Sequence, residues 1–143
     1  MSVRSVIAVL GGIVLVSFLM EILEPPAVAW LAAQRPADMD AYLAARTEPA
    51  VLWARGGLYV FVGILAGYMV AKIAGAYEMA HALVAALMQC VIMFNSFSAD
   101  PAGAAIPLAV RIGLTAATGA AIMAGAAIRA RAAGLTPDNE VKS

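Results

Sequence analysis

Residues 5–23 read Ser5-Val6-Ile7-Ala8-Val9-Leu10-Gly11-Gly12-Ile13-Val14-Leu15-Val16-Ser17-Phe18-Leu19-Met20-Glu21-Ile22-Leu23, and this run decides the fold class. Its one ionisable residue is Glu21. As a helix it is about 28 Å long at 1.5 Å per residue, close to the ~30 Å of hydrocarbon in a bilayer. Three more stretches have the same character: 56–76, 79–97 and 106–128. Hydrophobic residues make up 64% of the 143-residue chain and charged residues 13%, against about a quarter charged in a soluble domain. So little polar surface cannot cover a protein in water, so lipid is the expected solvent.

Working outward from the first run, Glu24-Pro25-Pro26 is expected to end it, because proline lacks the donor a helix interior needs. The connection from Pro25 to Arg55 holds an apolar piece, Ala27 to Ala33. Pro36-Ala37-Asp38 then reads as a helix start for Met39 to Arg46. Short helices at the membrane surface are expected here, with Trp30, Tyr42 and Trp53 as interfacial anchors. Gly75-Ala76-Tyr77-Glu78 and Ser98-Ala99-Asp100-Pro101-Ala102-Gly103 are short turns. The expected fold is thus all-α: a four-helix transmembrane bundle of two outward-looped hairpins, with short interfacial helices between the first and second spans. Residues 1–135 form a single membrane domain, and 136–143 a polar tail. Arg4 and Ala27-Val28-Ala29 also fit a cleaved signal peptide, but the apolar run is long for one and holds Glu21, so the first span is read as retained.

Basic residues set the orientation. With the N-terminus inside, Arg4, Lys72, Arg129, Arg131 and Lys142 are cytoplasmic, while Arg35 and Arg46 share an outer loop with Asp38, Asp40 and Glu48. This asymmetry predicts a multi-pass protein of the bacterial cytoplasmic (inner) membrane with both termini cytoplasmic. Zero net charge and the lack of a basic run argue against nucleic acid as a partner. Membrane lipids, a membrane-protein partner or further copies of the chain remain as expected partners.

An internal echo is present. Arg55-Gly56-Gly57-Leu58 is followed by Gly63, and Arg111-Ile112-Gly113-Leu114 by Gly119. The shared R-x-G-L-x4-G pattern, with Glu24-Pro25 and Asp100-Pro101 ending the preceding spans, suggests two related hairpins of a kind found in transporters. Chance in a chain rich in Gly, Ala and Leu gives the same pattern.

Ionisable groups inside hydrocarbon are the candidate functional residues. Glu21 lies ~24 Å along its helix from Ser5, hence ~6 Å below the outer boundary. Arg111, a turn beyond Pro107, falls at the same depth, so Glu21 and Arg111 form one candidate pair, and Glu24 and Arg55 a second one nearer water. Two readings stand. One is a proton or cation site open to the outside; the other is a pair of buried staples that offset their own desolvation. Glu78 and His81, one turn apart, share a helix face at the cytoplasmic start of the third span. The sole histidine and sole cysteine exclude a cysteine- or histidine-rich metal centre, so His81 is expected to bond Glu78 or a loop carbonyl. Gln89, Cys90, Asn95, Ser96 and Ser98 give the third span a polar side suited to interhelical hydrogen bonds, and Cys90 is expected to be unreactive. Small residues recur every fourth position at Gly63, Gly67, Ala71 and Gly75, and again at Gly113, Ala117, Ala121 and Gly125. They predict close packing of the second and fourth spans, on each other or on a partner chain.

No phosphate-binding glycine loop, H-E-x-x-H, C-x-x-C or G-x-S-x-G occurs, so no cofactor and no catalytic residue is assigned, and an enzyme is not expected. The pattern resembles a loosely defined group of bacterial four-helix membrane proteins of similar length. The resemblance rests on Glu24-Pro25-Pro26, the Asp38 to Tyr42 segment, Gly67-Tyr68-Met69-Val70-Ala71-Lys72-Ile73-Ala74-Gly75, Ala80-His81 and Asn95. It implies the bundle and no activity. The function expected is that of an accessory or scaffold subunit or a self-associating bundle. The alternative is a small transporter or channel subunit using Glu21 with Arg111 as its proton or cation site.

Overall fold

The computed structural model describes residues 3–99 and 101–134. The polar tail 136–143, Lys142 and Asp100 lie outside the described residues. Helices α1 (Val3–Leu31), α2 (Met39–Ala45), α3 (Pro49–Ala74), α4 (Glu78–Ala99), α5 (Pro101–Ala105) and α6 (Leu108–Ala132) follow in order, with no strand among the described residues. Four of them, α1, α3, α4 and α6, are long and apolar enough to cross a membrane.

The helix boundaries depart from the sequence expectation at one end of the bundle. α1 does not stop at Pro25-Pro26 but runs through both for 29 residues, about 44 Å at 1.5 Å per residue. Packing outweighs the lost hydrogen bonds: beyond the prolines, Val28 is fully buried against Ala45 and Val51, beside Leu31 and Tyr42. The end of α1 is held by Glu48, whose Oε2 accepts from Ala33 N at 3.0 Å. Ala27 to Leu31 is therefore the last turn of α1, not a separate surface helix. α2 does form, capped by Asp38 Oδ1 accepting from Ala41 N at 2.8 Å. α3 starts at Pro49, seven residues before the expected Gly56. Proline suits the first helical position, and Val51 and Arg55 are both buried. α5 occupies what reads as a turn in the sequence. Pro107 stands just before α6 rather than inside it.

At the opposite end, Gly75 takes the left-handed conformation (φ 71°) and its N–H closes α3 on Ala71 O at 3.2 Å. Arg4 Nε donates to Ile73 O at 2.5 Å, so a guanidinium lies on the carbonyl end of α3. Tyr77 also has positive φ, 51°.

In the bundle, α3 packs on α1, α6 and α4, and α4 packs on α6 and α1, whereas α1 and α6 share no extensive contact. Around the bundle the order is α1, α3, α6, α4. Alanines fill the core near the α3–α4 turn, where Ala71, Ala74, Ala82, Ala85 and Ala126 pack with Ala8, Val9 and Val70. Val16, Met20, Val62 and Ala66 continue it between α1 and α3. Met93, Phe97 and Ile106 close it at the α2/α5 end. Outside, Val14, Phe18, Leu87, Val91 and Ile112 are all more than half exposed. Large apolar side chains around the waist of a bundle are the signature of a lipid-facing surface. The chain has the architecture of a multi-pass integral membrane protein.

Candidate functional site

Four glycines decide how closely α6 approaches α3 and α4. A Cβ at Gly67 would overlap the Ile122 carbonyl, and one at Gly125 the Ile64 carbonyl; at Gly63 it would stand 2.9 Å from the Ala121 Cβ. These three residues bring α3 and α6 backbone to backbone. At Gly119 it would meet the Cys90 sulfur at 2.8 Å, on the α4 side. Gly113 meets nothing and is exposed. A four-residue step turns 400°, so a stripe with that spacing rotates by about 120° over three steps at 3.6 residues per turn. Gly113 and Ala117 accordingly point away from the face that holds Gly125. Gly75 serves as a helix cap rather than in the interhelical contact.

The loose α1–α4 contact opens into a cavity of about 460 Å³ in the α2/α5 half of the bundle. α1 contributes Val16, Ser17, Met20, Glu21, Glu24 and Pro25 to its wall, and α4 contributes Gln89, Ile92, Met93, Ser96 and Phe97. Arg55 and Tyr59 of α3 form its back, and α2 and α5 lie over one end. The alanine core seals the other half, so the cavity ends near Val16 and Gln89.

Glu24 is the electrostatic hub. Its Oε1 lies 2.5 Å from Arg46 Nε and 3.2 Å from Arg55 Nε. Glu24 and Arg55 are buried (6% and 2% exposed). Arg55 Nη1 also donates to the Arg46 carbonyl at 3.4 Å. The structure thus joins Glu24 with Arg55 and adds Arg46, which sequence spacing did not single out. Arg46 reaches Glu24 because α2 folds back over the bundle, a loop geometry with no periodic signal in the sequence. Burial, with the nearby Glu24 carboxylate adding to it, holds the Tyr42 phenol above its ordinary value, so this cavity-lining hydroxyl stays neutral at ordinary pH.

Glu21 lines the same cavity but has no ion pair among the described residues, and Arg111 is not part of the wall. The expected Glu21–Arg111 pair does not form. Equal depth put the two at one level, but α3 and α4 stand between α1 and α6. Arg111 is half-buried, with its Nε shielded and without a hydrogen-bond partner. Gln89, a residue read as interhelical glue, is 4% exposed and its Oε1 has no partner. Ser96 Oγ donates to Ile92 O at 2.9 Å and Asn95 Nδ2 to Val91 O at 2.9 Å, both within their own helix.

At the far end, Glu78 is 1% exposed and faces Arg129 Nη2 at 3.8 Å. His81 Nδ1 lies 2.9 Å from the Tyr77 carbonyl, so the loop carbonyl, not Glu78, is its partner. No group of three or more His, Cys, Asp or Glu side chains suited to a metal ion occurs among the described residues. In comparison with known proteins, the chain matches no family model, no curated protein and no solved structure, and the sequence resemblance gains no support from them.

Proposed function

We propose that the protein is a small-solute carrier subunit of a membrane, with the α1–α4 cavity as its binding chamber. One observation carries this reading: a cavity of about 460 Å³ inside a membrane-type bundle with the carboxylate of Glu21 on its wall. That volume falls within the range of ligand pockets, roughly 300–1,000 Å³. A charged group at membrane depth is tolerated where it faces a wet cavity rather than lipid. The chamber stops halfway, which suits a carrier that opens to one side at a time better than a continuous pore. Glu21 is the solute-facing acid. The Glu24–Arg46–Arg55 cluster fixes α1, α2 and α3 around it.

The charge pattern supports an orientation in a bacterial cytoplasmic membrane with the α2/α5 end outside. Arg4, Lys72, Arg129 and Arg131 gather at the other end. The accessory-subunit reading has one observation in its favour, the exposed small-residue face of α6 at Ala109, Gly113, Ala116, Ala117, Ala120 and Ala124. It is separable, since such a subunit purifies with a stoichiometric partner and a carrier need not.

The test is chemical access in a Cys90→Ala background. Ser17→Cys and Ser96→Cys, on opposite walls, are expected to react with a charged, membrane-impermeant thiol reagent added from the α2/α5 side. Phe18→Cys and Val91→Cys, on the lipid face, are expected to stay silent. Silence at both serine positions would overturn the reading.

A further inference from the structure

The polar atoms of the cavity wall are unevenly committed. The guanidinium groups of Arg46 and Arg55 both face Glu24, Arg55 in an ion pair at 3.2 Å that leaves its Nε without a hydrogen bond, and Arg55 Nη1 donates to the Arg46 carbonyl. The Ser96 hydroxyl proton is given to Ile92 O. Two side-chain acceptors of the wall also remain open. The Glu21 carboxylate has no ion pair among the described residues and is exposed on the wall. Gln89 Oε1 is buried without a partner; a turn about its terminal side-chain bond, a soft torsion, presents it to the cavity. The Glu21 backbone carbonyl has lost its usual donor four residues on, because that position is Pro25, itself in the wall.

The four charges of the wall sum to zero, but both guanidinium groups face Glu24, so the Glu21 carboxylate with Gln89 Oε1 calls for a ligand that is positive and carries several donors. An ammonium group has three donors and no acceptor. A divalent metal ion needs about six oxygen ligands and more negative charge than one carboxylate supplies. Met20, Met93 and the aromatic rings of Tyr59 and Phe97 in the same wall suit the carbon stem of an amine and the face of a cation. Building on the carrier reading, we propose that the cavity binds an organic amine, its ammonium group held between the Glu21 carboxylate and Gln89 Oε1. The amine is either dissolved or the head of an ethanolamine lipid entering between α1 and α4.

The probe is n-butylammonium chloride, with sodium butyrate as its matched anion, read by thermal unfolding of the full chain in phosphatidylcholine nanodiscs. Butylammonium is expected to raise the unfolding temperature with dose, as any ligand of the folded state does, and butyrate to leave it unchanged. Glu21→Gln is expected to weaken the apparent affinity roughly tenfold or more, the scale of one lost charge-assisted bond, at an unchanged ligand-free melting point. Gln89→Leu separates binding from structure. It removes a buried acceptor without a partner, so the ligand-free protein is expected to melt higher while the butylammonium response weakens. A Glu21→Gln protein with the full response, or a Gln89→Leu protein that melts lower and responds fully, would overturn the proposal. So would a response to butyrate alone, which leaves the carrier reading standing. Silent serine positions in the access test would remove the chamber itself. Replacing half the lipid with phosphatidylethanolamine names the source. If the lipid is the ligand, the discs melt higher and the butylammonium shift shrinks; if the ligand is dissolved, both stay as they were. Either result supports ammonium recognition.

Discussion

Glu21 and Glu24 are one turn apart on α1, yet their surroundings give them opposite roles. Glu24 is buried between two guanidinium groups, and removing it leaves Arg55, only 2% exposed, beside an empty position. Glu24→Gln is expected to destabilise the protein by about 3–5 kcal/mol, the cost of breaking a buried ion pair from one side, measured by thermal unfolding in mild detergent. Glu21→Gln is expected to change stability by no more than about 0.5 kcal/mol, since no pair is broken. A large loss at Glu21, rescued by Arg111→Gln, would restore the staple that the helix order excludes. The sequence made Glu24–Arg55 legible because charge sign and depth both follow from spacing. Glu21–Arg111 failed on the one coordinate that spacing lacks, the order of helices around the bundle.

Among the elements, α3 and α6 form the tightest contact, and their glycines are unequal. Gly67→Ala and Gly125→Ala each press a methyl group into a facing backbone carbonyl, with an expected cost of about 1–3 kcal/mol for overpacking. Gly113→Ala meets open space and is expected to be neutral or slightly stabilising, by up to ~1 kcal/mol of helix propensity. Equal effects at all three positions would contradict the α3–α6 register. Tyr77, a non-glycine residue at φ 51°, offers a second check. Tyr77→Gly is expected to raise the melting temperature, because it relieves roughly 1–3 kcal/mol of backbone strain and keeps the backbone carbonyl that meets His81. Small-residue spacing announced close packing in the sequence. It did not say which glycines face a neighbour, because a four-residue repeat drifts around the helix. The passage of α1 through Pro25-Pro26 was hidden for a related reason. Local propensity ends a helix there, and only the burial of Val28 against α2 and α3, a tertiary contact, carries it on.

For the whole molecule, four long apolar helices were legible from run length alone, since lipid thickness sets that length. Their mutual arrangement was not. α1 is apolar on its lipid face and on its core face alike, with Phe18 out and Val16 in, so no periodic contrast marks the buried side. The cavity follows from that arrangement: it exists because α1 and α4 meet loosely while α3 binds both. All of this depends on hydrocarbon surrounding the waist of the bundle. The most direct measurement is the collision rate of nitroxide labels with oxygen, which dissolves in lipid, and with a nickel chelate, which stays in water. Labels at Phe18, Leu87, Val91 and Ile112, introduced singly as cysteine in the Cys90→Ala protein in nanodiscs, are expected to collide mainly with oxygen. If the nickel chelate dominates at all four, water surrounds the bundle and the account is contradicted.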